Sequence, residues 1–297
     1  MAKKITSSVS KPKVKSKSKP PETAKTLIRL PNVFKITQAA ANLLWSHKKL
    51  FVGIAVINGL LNLILVRGLS SPDLASSVGG NSFSSGLNGF LTLVGSTGGA
   101  SDASQSSYQF VIMVIGSLAI IWALRQVLAG SEIRIRDAYY KGMYPLIPFM
   151  LVLIVIGLQL LPLLAGSTLY SLVIANGIAV SLIEKVLWAV LFAGLAAISF
   201  YMVISSLFAL YISTLPDMTP LKALRSARQL VKRRRWTVLR KVLFLPLLIL
   251  VLGALIIIPT IVIAAPLAAW IFFALNALGL VAGHAYMYVL YRELINE

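Results

Sequence analysis

The sequence predicts an all-α, polytopic membrane bundle of six transmembrane helices with basic amphipathic helices on one side. Three observations predict it. Hydrophobic residues make up 58% of the 297 and charged residues only 12%, with a mean hydropathy of +0.84, whereas soluble domains carry about a quarter charged residues. Six segments are long and apolar enough to cross about 30 Å of hydrocarbon, which takes roughly 20 helical residues. Lys and Arg cluster in alternate connections between those segments, the signature of a fixed membrane orientation. A barrel is excluded because the alternating pattern of lipid-facing strands is absent, and lipid-exposed backbone must bond within its own segment.

Residues 1–28 are mostly Lys, Ser and Pro with little to bury, and predict a disordered basic cytoplasmic tail. Residues 29–297 form the membrane domain, with spans predicted near 49–67, 108–129, 145–165, 184–212, 238–259 and 266–291. The fourth is too long for a perpendicular crossing, so it is expected to tilt or to extend beyond the bilayer. Because the first apolar run starts near residue 50, after the basic tail, a cleavable signal peptide is not expected. The connection at 69–107 is rich in Ser and Gly and carries the apolar island GLNGFLTLV at 86–94. It reads as a flexible outer loop, with an interfacial or re-entrant segment as the alternative.

Orientation is set by charge. Of the 28 Lys and Arg, all but Arg67 and Lys185 fall in the N-terminal stretch, the second and fourth connections and the C-terminal end. These regions alternate with nearly uncharged ones, so both termini are expected in the cytoplasm of a multi-pass cell-membrane protein.

Each cytoplasmic stretch before an odd-numbered span reads as a short amphipathic helix. In the stretch LPDMTPLKALRSARQLVKRRRW (215–236), Lys222, Arg225, Gln229, Lys232 and Arg233 share one face, and Leu221, Ala223, Leu224, Ala227, Leu230 and Val231 lie on the other. Thr219 is a suitable cap and Pro220 suits the first helical position. In the earlier stretches Ile36, Ala39, Ala40, Leu43 and Leu44, with Trp45 outside the arc, then Ile135, Ala138, Tyr139, Gly142 and Met143, make the apolar arcs. Laid over one another, ITQAAANLL, IRDAYYKGM and PLKALRSAR match at Ala39, Ala138 and Ala223. The pattern is consistent with three repeats of an amphipathic helix and two spans, the third with the longest helix.

The net charge of +19 on a soluble domain would point to nucleic acid. Here the charge flanks membrane spans, so Lys222, Arg225, Arg228, Lys232, Arg233, Arg234, Arg235 and Trp236 are assigned instead to anionic lipid headgroups at the interface. Membrane lipids are the expected partner, a protein partner is the alternative, and nucleic acid is not expected. Asn58, Asn62, Asn276 and His284 are the polar residues placed within the spans, as packing groups or as a substrate path. Gly279 and Gly283 form a GxxxG pair for helix packing. Glu184 and Lys185 mark the outer boundary of the fourth span.

The chain has no cysteine, nine scattered acids and two histidines, His47 and His284. No Walker loop, HExxH or GxSxG string occurs, so no catalytic residue, metal or cofactor is expected. A non-enzymatic protein that organises or senses the cytoplasmic leaflet, or scaffolds a partner there, is the first reading. A transporter or permease component for a small molecule or lipid is the second.

The stretch 215–236, the apolar pair of spans after it and the ending YMYVLYRELINE with its Tyr291–Arg292 pair resemble a bacterial family of six-span membrane proteins. This is the glycerophosphoryl diester phosphodiesterase membrane-domain family. The resemblance covers chiefly the last 90 residues, and Ala227 stands after Ser226 where the family often has an aromatic. In the named phosphodiesterases the chemistry belongs to a separate soluble barrel, and this chain has no polar domain to hold one. The resemblance therefore implies a membrane module without esterase residues.

Overall fold

A computed structural model describes residues 31–65, 103–232 and 234–296. The predicted tail at 1–28, residues 69–102 of the outer connection with their apolar island, and Arg233 lie outside the described residues. Within them the fold is all helical: α1 (Val33–Ser46), α2 (Lys48–Leu65), α3 (Ala103–Leu128), α4 (Ile135–Gly142), α5 (Leu146–Ala175), α6 (Leu182–Leu207), α7 (Ala209–Ile212), α8 (Pro220–Val231) and α9 (Arg235–Asn296). Six stretches are long and apolar enough to cross a membrane: Lys48–Leu65, Ser107–Leu128, Leu146–Ala175, Leu182–Ile212, Arg235–Ala264 and Pro266–Ile295. They coincide with the six predicted from the sequence, and the chain is a multi-pass membrane protein. The third runs ten residues further than expected, to Ala175 rather than 165.

Local chemistry sets the boundaries. At the start of α6, Ser181 Oγ accepts from the Glu184 amide, and Glu184 Oε2 accepts from the Val180 and Ser181 amides at 2.8 and 3.2 Å, which makes a capping box. Glu184 thus serves as a helix cap. α8 begins as expected, with Thr219 Oγ1 accepting from the Lys222 amide and Pro220 in the first turn. Inside α5, Pro162 has no amide hydrogen, and the next amide, Leu163 N, donates across the helix pair to the buried Ser199 Oγ at 2.9 Å. α9 bends back at Ala264, where φ is −151° and ψ is 77°, beside Pro266. Its two limbs run antiparallel: Ile257 and Ile261 meet Ala268 and Ala269 near the bend, and the Tyr286 hydroxyl donates to the Lys241 carbonyl at the far end.

The GxxxG pair lies in this hairpin but does not join two backbones. A Cβ built on Gly279 would stand 3.9 Å from Ile249 Cγ2, and one on Gly283 4.0 Å from Leu245 Cδ2, both ordinary contacts with side chains. The expectation of a close-packing glycine seam is therefore corrected. The double variant G279A/G283A is expected to unfold no earlier than the parent, since Ala favours a helix over Gly by about 0.5–1 kcal/mol. Thermal unfolding in detergent micelles checks this, and a clearly lowered midpoint would show the seam to be tighter than the geometry.

The three amphipathic helices repeat in structure. Counted from Val33, Ile135 and Pro220, the fourth and eighth residues of each are buried: Ile36 and Ala40, Ala138 and Gly142, Ala223 and Ala227. A small residue stands at every eighth position, where the helix rests on the bundle. The register predicted from letter identity is wrong in the first unit. Ala39 is exposed, and the residue that corresponds to Ala138 and Ala223 is Ile36. Nor is the third helix the longest, since α1 has 14 residues and α8 has 12. α4 packs on α3, α8 on α6 and α7, and α1 on α9, so each sits against a limb of another unit.

Candidate functional site

Two polar features lie at the end of the bundle that carries α1, α4 and α8. The first is a buried chain of hydrogen bonds. His284 on the sixth span stands between two hydroxyls: Nε2 is 2.9 Å from Ser117 Oγ on the second span, and Nδ1 is 3.1 Å from the Tyr211 hydroxyl on the fourth. A neutral imidazole has one donor and one acceptor, and here both have a partner. Each even-numbered span thus contributes one group. Tyr211 also packs against Tyr288 and Tyr291, with ring centroids 6.0 Å away in each case. Its carbonyl accepts from Thr214 Oγ1 at 2.8 Å, and Thr214 Oγ1 in turn accepts from the Arg125 guanidinium at 2.6 Å. The network therefore runs from the interior to a cation at the end of the second span.

The other intramembrane polar residues divide. Asn58 is buried opposite Gly116, where a Cβ would stand 2.8 Å from Asn58 Oδ1. That oxygen has no hydrogen-bond partner among the described residues. Asn62 is half-buried one turn along. Asn276 is exposed on the sixth span and joins neither His284 nor Asn58, so the predicted grouping of four is reduced to Asn58 and His284, which flank neighbouring residues of the second span. Grooves of about 770, 760 and 630 Å³ are not lined by any of the four.

The second feature is the basic surface. On α8, Ala223, Ala227 and Val231 are buried against the protein's own helices, while Lys222, Arg225, Arg228 and Lys232 are exposed. The sequence predicts the apolar face on the membrane; the bundle itself covers its Ala223, Ala227 and Val231, while Leu221 stays 67% exposed and the cations point outward. Trp236 is 68% exposed, whereas Arg234 and Arg235 are half-buried. The Arg235 guanidinium stacks 4.3 Å over the Tyr201 ring, so this cation is partly engaged by its own bundle. Near the exit of each amphipathic helix stands an exposed aromatic: Trp45 at 75%, Tyr144 at 92% and Trp236. Lys48 lies 5.2 Å from the Trp45 ring. Such amphipathic rings collect at membrane–water interfaces. α4 is anchored beneath them by the Tyr139 hydroxyl, which donates to the Ile54 carbonyl at 3.1 Å and whose pKa burial pushes up to about 12.

The sequence singles out His284 and the α8 cations but not Ser117, Tyr211, Arg125 or Thr214 as members of this network. Among the described residues, no group of three or more His, Cys, Asp or Glu is placed to hold a metal ion. Comparison of the chain with protein-family models, with curated proteins and with solved structures finds no match.

Proposed function

We propose that this membrane protein works at the surface of one leaflet, the cytoplasmic one by its charge, where α1, α4 and α8 form a basic collar for anionic headgroups. Through that collar it organises or senses the leaflet, or holds a partner against it, without catalysis of its own. The observation that carries the reading is the mounting of α8: its small apolar residues are spent on the bundle, and four cations and Trp236 face outward. A helix that merely fixed topology would need the charge but not this rigid presentation. The resemblance of residues 215–236 to the phosphodiesterase membrane-domain family supports the same picture of a membrane module.

Near an anionic surface each basic residue contributes about 1 kcal/mol. The variant K222E/R225E/R228E/K232E, reconstituted in mixed phosphatidylglycerol and phosphatidylcholine, is therefore expected to lose most of the preference for phosphatidylglycerol in its motionally restricted lipid shell. Spin-labelled lipids report that preference directly. Equal selectivity in the parent and the variant would refute the collar.

A further inference from the structure

The repeated units leave a groove at each described junction between them. The first, about 770 Å³, lies between the exit of α4 and the turn that leads from the fourth span into α8. The second, about 760 Å³, lies between the exit of α1 and the link that leads from the second span into α4. The two are the same place in successive units, and both fall in the ~300–1,000 Å³ range of small-ligand sites. At the third junction Arg233 and residues 1–30 lie outside the described residues.

Both grooves are cationic. The first holds Arg125 and Lys141, with Trp122 and Tyr144 among its walls and Leu118 and Pro148 as apolar lining. Arg125 is held in place by a neutral group, the Thr214 hydroxyl at 2.6 Å, which takes one of its five N–H donors and none of its charge. Asp217 also lines this groove, exposed, with φ at 59°, but no carboxylate of the described residues forms an ion pair with Arg125 or Lys141. The second groove holds Lys48, Lys49 and Arg134, with Glu132 as its acid. A planar guanidinium fork with a nearby ammonium suits a phosphate. The apolar walls, and Tyr144 at the level of the exposed aromatic belt, suit the glycerol backbone and acyl chains of a lipid.

We infer that each groove binds one anionic glycerophospholipid, its phosphate on Arg125 and Lys141 in the first and on Lys49 and Arg134 in the second. The inference rests on the reading that this end of the bundle meets an anionic leaflet. Unlike the general attraction of the collar, the grooves are discrete, countable sites.

Native mass spectrometry of the full chain in detergent, titrated with phosphatidylglycerol, counts them. The parent is expected to retain at low excess one lipid more than R125Q/K141Q and one more than K49Q/R134Q, while phosphatidylcholine is not retained. The α8 charge variant is expected to keep both, so failure of the collar and failure of the grooves are told apart. K141Q alone, an exposed change that spares the Arg125–Thr214 bond, is expected to weaken the first site several-fold and guards against misfolding of the double variant. Undiminished retention in both groove variants would overturn the inference. So would displacement by millimolar inorganic phosphate, which would make the ligand a free anion.

Discussion

Replacing Tyr211 with Ala is expected to cost about 3–5 kcal/mol of stability, the range for deleting a fully packed aromatic. Tyr211 is buried where the three even-numbered spans meet, between His284, Tyr288 and Tyr291. Truncation removes the ring contacts, opens a void beneath the sixth span and leaves His284 Nδ1 without its hydroxyl partner. Tyr211→Phe keeps the ring and gives up only that bond. Interhelical hydrogen bonds in membrane proteins average about 0.6 kcal/mol and reach about 1.7, so the Phe variant should fall near 1 kcal/mol. Unfolding of the reconstituted protein by denaturant, read by tryptophan fluorescence, separates the two. Adding His284→Ala to Tyr211→Phe should then cost less than the sum of the single changes, because both sever the same bond. A Tyr211→Ala variant no less stable than Tyr211→Phe would show that the even spans are held together elsewhere.

That junction is only partly legible in the sequence. His284 stands out because an ionisable side chain inside an apolar span is unusual. Its partners do not: Ser117 and Tyr211 are common in membrane helices and lie 167 and 73 residues away in the chain. Periodicity reports which residues share a face of one helix, and it is silent on which helices meet. The spans themselves are legible because length and hydropathy are local properties, and so is the start of α8, where Thr219 and Pro220 act within one turn. The capping box at Ser181 and Glu184 is equally local: the sequence reading places Glu184 at the outer boundary of the fourth span, which begins at Leu182, without naming the cap. The repeat is visible, yet matching alanines sets its register wrongly. The buried phase of each helix, fixed by its own starting point, moves the first unit to Ile36 and Ala40. Asn276 shows the opposite error: residue type groups it with the other polar residues of the spans, and the sixth span turns it outward.

Gly142→Val is expected to be the most damaging single change among the amphipathic helices. A Cβ at Gly142 would stand 3.2 Å from both Ala119 Cα and Leu118 O. These are backbone atoms in the middle of the second span, and no rotamer change moves them. At Gly53 the added atom would meet Cδ1 and Cγ1 of the Ile135 side chain, a side chain and not backbone. Overpacking typically costs about 1–3 kcal/mol, and the two further methyls of Val place this site at or above the upper end. α4 has eight residues, too short to hold a helix without tertiary support, so it should relieve the clash by lifting from the second span. Lys141 and Tyr144 flank Gly142 in the first groove and would be carried away from Arg125. Gly142→Val should therefore lower the unfolding midpoint and also remove one retained phosphatidylglycerol molecule, the one in the first groove, whereas Gly53→Ala should do neither. Site-directed fluorescence on α4 and native mass spectrometry together test the coupling. Loss of stability with both lipids retained would mean that α4 stays docked and that the strain is absorbed within the second span.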